Sequence, residues 1–361
     1  MQYGVFIPNA TNGYILSTGS PQYRPSFAHN VAITQEAERQ GLDCVLSMMK
    51  HRGTGGPSDF WGECLESFTL FGGLAAVTER IGLYPSVTTL ATHPMMAARM
   101  VSTIDEISGG RCGLNIVTGW NKPEYTAMGL WPGDDYFARR YDYAAEYTQV
   151  LRALWTQDRV DFHGEFFDLV DADMRPKPLH TPTVVCAGQS PAGQQFTATY
   201  GDRNFIMAER SKVGSIASGV KELGGKAERD VGTFALYVVI AEETDAEAER
   251  RCAHIVENAD LEAISYMTTG ASLDTNPDGT SAQLLASLER APDEGNMAFL
   301  SIPVVKGSYE HVAEQLDEIA VSTGIDGALL TWPDFVGGIT SFGERVKPLL
   351  TDAAPMAASG M

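Results

Sequence analysis

Residues 81–120 read IGLYPSVTTL ATHPMMAARM VSTIDEISGG RCGLNIVTGW. Ile81 to Thr88 is short and apolar and predicts a buried strand. Pro94 to Ile107 has helical spacing, carries proline in its first turn, and stops at Gly109-Gly110, where a left-handed residue ends a helix at low cost. Cys112 to Val117 predicts a strand again. A strand, a helix and a strand at this spacing form a crossover unit, and the two strands of such a unit run parallel.

The same alternation continues in both directions. Upstream, Tyr3 to Pro8 predicts a strand, Phe27 to Gln40 a helix that stops at Gly41, Leu42 to Met49 a second strand, and Leu65 to Thr78 a helix. Downstream come a helix over Tyr143–Trp155, a hairpin over Val160–Leu169, a fifth core strand at Thr183–Ala187, and its helix Ala192–Tyr200. Strands follow at Asn204–Met207, Phe234–Ala241 and Gly327–Trp332, the last preceded by a helix at Tyr309–Ala320. Eight strands with interposed helices predict an α/β chain folded as a (β/α)8 TIM barrel. An open doubly wound sheet would need fewer strands and a switch point. The expected organisation is a single barrel domain over residues 1–361 with insertions at about 118–142 and 268–300. Thr118 to Tyr141 is a long loop rich in Gly, Pro, Trp, Tyr and Asp, the kind of segment that carries function. Thr268 to Asn296 predicts an insertion or mobile loop, and the tail from Asp352 a frayed end.

Composition excludes several roles. The 26 Lys and Arg against 46 Asp and Glu leave a net charge of −20, which disfavours nucleic acid and anionic membrane surfaces as partners. The N-terminus lacks the pattern of a signal peptide, and no apolar run is long enough to span a bilayer. The five cysteines are scattered with no C-x-x-C, as expected of a reduced, cytoplasmic protein in which each acts as a small buried apolar residue. There is no G-x-G-x-x-G after the first strand and no P-loop, so neither a Rossmann-type dinucleotide site nor a phosphate-cradling P-loop is expected. The histidines show no metal-ligand spacing, and no metal site is expected. Gly188-Gln189-Ser190-Pro191-Ala192 is not G-x-S-x-G, so a hydrolase elbow is not expected either.

Barrel enzymes place function at the carboxyl ends of their strands. Here those ends carry Ser47-Met48-Met49-Lys50, Tyr84 to Thr88, Asn115 to Trp120 and Ala187 to Ser190. They supply hydroxyls, amides, one lysine and one indole, with almost no nucleophile or acid–base pair. Such a set suits a cofactor that carries the reaction itself. Asn115 lies mid-strand, where an amide either is satisfied by the core or bonds a ligand ring. Arg139-Arg140-Tyr141 either binds a phosphate or pairs on the surface with Asp134, Asp135 or Asp142. Gly188-Gln189-Ser190 before a helix offers amides and a hydroxyl to an anion, or serves as an ordinary N-cap. Trp120, Tyr125 and Trp131 either flank an aromatic ring or pack the loop.

The run His93-Pro94-Met95-Met96-Ala97-Ala98-Arg99, with Ser108-Gly109-Gly110-Arg111 and Val117-Thr118-Gly119-Trp120, resembles the signature of the bacterial luciferase-like flavin monooxygenases. Leu65 to Leu70, Lys122 to Tyr125, Trp131 to Phe137, Arg139 to Tyr143 and Cys186 to Ser190 resemble the pyrimidine oxygenase branch of the Rut uracil-degradation pathway. The likeness runs from residue 3 to about 206 and returns at Asp274-Thr275-Asn276, Gly307-Ser308-Tyr309 and Phe342 to Arg345. The resemblance implies a luciferase-like barrel with FMN contacts at Met49, Lys50, Asn115, Glu124, Arg140, Tyr141 and Ser190. It implies Asn115 and Ser86 as catalytic residues around an O2 pocket, with Trp120 and Tyr125 toward the substrate. The implied reaction uses reduced FMN from a separate flavin reductase and O2 as co-substrate. It ring-opens a pyrimidine such as uracil or thymine by C–N cleavage through a flavin-N5-oxygen species. Another small N-heterocycle or amide, a non-catalytic flavin-binding protein and an F420-dependent dehydrogenase are the alternatives, and assembly as a homo-oligomer stays open. Ser86 stands where that branch carries Thr, keeping the hydroxyl. Residues 207–212 and 277–303 depart from the pattern.

Overall fold

The computed structural model describes residues 1–274 and 280–351. The strands, in chain order, are β1 (Gln2–Phe6), β2 (Cys44–Leu46), β3 (Gly82–Tyr84), β4 (Ser86–Thr88), β5 (Leu114–Val117), β6 (Val160–His163), β7 (Asp168–Ala172), β8 (Val184–Ala187), β9 (Arg203–Ile206), β10 (Gly232–Glu242), β11 (Val304–Ser308) and β12 (Gly327–Thr331). The helices are α1 (Phe27–Arg39), α2 (Ser67–Ala76), α3 (Pro94–Ser108), α4 (Lys122–Ala127), α5 (Tyr136–Thr156), α6 (Pro191–Tyr200), α7 (Arg210–Lys226), α8 (Asp245–Glu257), α9 (Leu261–Ala271), α10 (Thr280–Ala286), α11 (Tyr309–Thr323) and α12 (Phe335–Ser341).

All pairings of the main sheet are parallel, in the order β3-β2-β1-β12-β10-β9-β8-β5-β4. The two ends of this path, β3 and β4, are halves of one run separated by Pro85 alone. The first half pairs with β2 and the second with β5, so the path returns on itself as the barrel. Counted as one, they make eight strands among the described residues, at the eight places where the sequence predicts them. The strands are buried on both faces, as parallel strands inside a ring of helices must be.

Local chemistry places the α3 crossover. The His93 side chain accepts from the Met95 N–H, Pro94 opens the helix, and Gly109 at φ 69° ends it. Ala97, Ala98, Val101 and Ile104 form its buried face.

Three expectations need correction. α5 begins at Tyr136 and not at Tyr143, because Tyr136, Phe137 and Arg140 already turn inward on its buried face; Arg139, Arg140 and Tyr141 are therefore helical. The stretch from Thr268 to Asn296 is not simply a loop: the end of α9, then α10, and a short 3₁₀ turn at Pro292–Glu294 occupy its described part, and a second such turn, Met297–Phe299, follows it. β11 was not expected. β10 is long enough to pair with β9 and β12 along its first half and with β11 from Val238 to Glu242. The tail beyond Thr351 lies outside the described residues.

Among the described residues, no helix is long and apolar enough to cross a membrane. Among the same residues, no group of three or more His, Cys, Asp or Glu is placed to hold a metal ion.

Candidate active site

The carboxyl ends of β2, β5, β8 and β9, together with the start of β4, surround one cavity. Ser47 to Lys50 follow β2, Ser86 opens β4, Val117 to Trp120 end β5, Ala187 to Gln189 end β8, and Met207 follows β9. Phe6 and Tyr14, stacked with ring centres 4.3 Å apart, form the wall on the β1 side. Arg140 and Tyr141 enter from the first turns of α5, and Leu284 and Leu300 come from the α10 region. The cavity and its open mouth together hold about 1050 Å³ of empty space, solvent at the mouth included.

Ser86 and Asn115 are direct neighbours across the β4–β5 ladder, and both are buried in the cavity wall. Asn115 Nδ2 donates to Ser86 Oγ at 2.7 Å. Asn115 Oδ1 has no hydrogen-bond partner among the described residues. The asparagine is thus half satisfied by the core, neither fully bonded there nor free.

Lys50 Nζ lies 2.8 Å from Glu124 Oε2, both side chains being almost fully buried. Glu124 also accepts from the His51 backbone N–H. The Lys50 ammonium sits 5.1 Å from the ring centre of Trp61 and 5.2 Å from that of Trp120. Desolvating an ammonium is costly, and a carboxylate together with two indole faces offsets that cost. Trp61 was not anticipated. It adopts φ +59°, a left-handed conformation that is rare for a bulky residue, and its indole N–H donates to Gly13 O at 2.7 Å. No local sequence signal marks such a residue.

Arg140 does not make the surface pair weighed from the sequence. Its Nη1 lies 3.0 Å from Asp274 Oδ2, with 4% of the arginine side chain and 0% of the aspartate side chain exposed. Ser281 Oγ donates to the same carboxylate oxygen at 3.0 Å. Arg140 Nε has no partner among the described residues. Arg139, by contrast, lies on the surface and pairs with Glu165.

Tyr141 brings its hydroxyl against the turn into α6. A Cβ built on Gly188 or Gly193 would lie 2.8 or 2.7 Å from that oxygen, so both glycines are required for the approach. Ser190 is buried and caps α6 by accepting from Gly193 N, just behind the lining residues Gly188 and Gln189.

Of the three loop aromatics, Trp120 alone lines the cavity. Tyr125 is buried behind it, its hydroxyl packed against Gly119 at φ +79°; burial raises its phenol pKa, and the nearby Glu124 adds to the effect. Trp131 packs on Tyr136 and Phe137 and donates to Asp134, so it serves the loop.

Comparison with known proteins agrees with this geometry. The family model for luciferase-like monooxygenases matches residues 1–327. A pyrimidine monooxygenase RutA from Escherichia coli (strain SMS-3-5 / SECEC) is 46% identical over 354 residues, covering 97% of this chain and 96% of its own length. Among solved structures, riboflavin lyase RcaE with modified FMN and riboflavin superposes with a TM-score of 0.82 at 21% identity, covering 97% of this chain and 91% of its own. EDTA monooxygenase EmoA from Chelativorans sp. BNC1 gives a TM-score of 0.82 at 18% identity, covering 100% of this chain and 96% of its own. The barrel, the cavity at its carboxyl end and these matches lead to one assignment: the chain belongs to the luciferase-like monooxygenase family.

Proposed function

We propose that this chain is the oxygenase of a two-component flavin system, a single luciferase-like barrel domain that takes reduced FMN from a separate flavin reductase, and O2. Its substrate is a pyrimidine such as uracil or thymine, ring-opened by C–N cleavage. The observation that carries this reading is the pair of unsatisfied buried groups on two residues lining one cavity, Arg140 Nε and Asn115 Oδ1. Leaving such groups unbonded is costly, and a bound ligand removes the cost. The 46% identity to a pyrimidine monooxygenase supports the substrate class.

The residues present fit FMN. Arg140, Tyr141 and Ser190 would hold the phosphate end, where the Tyr141 hydroxyl meets a glycine turn at the start of α6 and Arg140 shares the cavity lining. Met49, Lys50, Asn115 and Glu124 would hold the ring end. When bound, reduced FMN supplies the electrons that activate O2, and the protein's own residues do the rest. Phe6, Tyr14, Phe205, Leu284 and Leu300 keep the cavity walls apolar and limit water. Lys50, fixed by Glu124, presents a positioned cation to a ring carbonyl. Trp120 offers an indole face to a planar heterocycle, with Tyr125 supporting the turn that carries it.

Met207, Leu284 and Leu300 belong to the two stretches that depart from the family pattern, and they line the cavity. This favours, as the second reading, the same flavin chemistry on another small N-heterocycle or amide. Mass spectrometry of products, with reduced FMN, isotopically labelled O2 and a panel of pyrimidines and amides, separates the readings. The expected outcome is a labelled ring-opened product from uracil or thymine. A labelled product from another panel member alone transfers the reading to that substrate. FMN binding with no labelled product from any of them would make the chain a non-catalytic flavin binder.

A further inference from the structure

Behind Asn115 lies a group of hydroxyls from three separate elements. Ser86 Oγ donates to Ser47 O, a carbonyl that can only accept. With its single proton spent there, Ser86 Oγ can only accept from Asn115, so the atom facing it must be Nδ2. The amide is thereby fixed with Oδ1 as the side-chain atom left unbonded. Ser86 itself is held by its backbone N–H, which donates to Ser67 Oγ at 2.8 Å and Ser47 Oγ at 3.2 Å. Those two hydroxyls are 2.6 Å apart. They act where the run through Pro85 leaves β2 and joins β5, so side chains replace a missing ladder partner. All three serines are 0% exposed, and such a closed polar network persists only when every member is satisfied.

We propose that Ser47, Ser67 and Ser86 are positioning residues that lock Asn115 with its carbonyl oxygen free, so that the site selects an occupant presenting a ring N–H donor. This deepens the flavin–pyrimidine reading and rests on it for the identity of the occupant. Two sources carry that chemistry: the flavin ring, which gains an N–H at N5 on reduction beside the N3–H it carries in both redox states, and the pyrimidine, which has two ring N–H groups. In either case Asn115 acts as the hydrogen-bond acceptor.

The lock is tested first on the ligand-free protein. Asparagine-selective ¹⁵N labelling identifies the Asn115 side-chain amide by its loss in Asn115→Leu. Its protons exchange slowly with solvent in the wild type and in Ser86→Thr, and at least about tenfold faster in Ser86→Ala and Ser67→Ala, the scale of one lost buried hydrogen bond. Exchange in either alanine variant that matches the wild type overturns the lock. Binding then tests the donor selection. The wild type and Ser86→Thr bind reduced FMN over oxidised FMN, or uracil over one of its N1-methyl and N3-methyl forms, with a preference of about tenfold, and Ser86→Ala loses that preference. A preference among the uracils assigns the donor to the substrate, and one between flavin redox states assigns it to the flavin. Equal binding in both comparisons leaves neither the N5–H nor a uracil N–H as the donor to Asn115 and overturns the selection. Failure of FMN and uracil to bind at all overturns the functional reading, while the exchange measurement still decides the lock.

Discussion

Arg140 is a buried cation whose ion-pair partner, Asp274, sits 134 positions along the chain. Its removal acts on ligand and fold together. A charged hydrogen bond to phosphate is worth roughly 1.5–3 kcal/mol, so Arg140→Ala weakens FMN binding about ten- to hundredfold and leaves riboflavin binding nearly unchanged. Titration of both ligands checks this, and equal weakening would place Arg140 away from the phosphate. The same variant deprives the Asp274 carboxylate of this cation and lowers the thermal midpoint, an effect that Arg140→Lys largely avoids. Asn115 belongs to the chemistry instead. Leucine fills a similar volume but offers no polar atom to Ser86 or to the cavity. Asn115→Leu is expected to fold and to keep FMN affinity through the phosphate end. A lost hydrogen bond at such a centre costs roughly 1.5 kcal/mol, and the product formed per O2 consumed accordingly falls about tenfold, with peroxide released in its place. An unchanged ratio would make Asn115 a purely structural amide.

At the scale of elements, α1 is fastened to α12 by one carboxylate. Glu36 accepts from Thr340 Oγ1 at 2.6 Å, from Arg39, and from Gln40 Nε2 at 2.9 Å. Its pKa falls from 4.5 to about 2, chiefly through the Arg39 hydrogen bond, against some desolvation. The folded pKa is depressed, so the stabilisation is complete above pH 4.5 and is lost as the pH falls toward 2. Allowing for solvent screening, Glu36→Gln costs about 1–2 kcal/mol at pH 7. The gap between variant and wild type closes as the pH falls through that window. Denaturant melts at pH 7 and pH 3 test this, and a constant gap would contradict it. The elements themselves were legible to different degrees. The α3 crossover was readable because cap, periodicity and stop agree locally. β11 was not, because VVKGS is short, carries a lysine and a glycine, and becomes a strand only through the overhang of β10. α5 was read as starting late because the burial of Tyr136, Phe137 and Arg140 follows from their tertiary neighbours.

For the molecule as a whole, the cavity is the one place where unsatisfied Arg140 and Asn115 share a lining, and the chain has no glycine fingerprint for a dinucleotide. NADH added to the FMN-loaded protein should therefore reduce the flavin only slowly, and a separate flavin reductase should restore rapid reduction. Stopped-flow absorbance at the flavin band distinguishes the two, and fast reduction by NADH alone would contradict a two-component system.

The barrel was written in the sequence because its eight core strands, and the helices read between them, signal themselves within a dozen residues, through burial period, caps and glycine stops. That Lys50, Asn115 and Ser190 lie at one face was readable for the same reason, since a barrel brings strand ends together whatever the loops do, whereas Arg140 reaches the cavity from α5. Tertiary structure alone decided their partners. Glu124 on Lys50, Asp274 on Arg140, Trp61 beside the ammonium and the serines behind Asn115 are joined across 11 to 134 positions of chain. No periodic pattern spans such gaps. Hydrogen bonds and ion pairs are short-ranged and directional, so which donor meets which acceptor is settled only when the closed barrel fixes the distances.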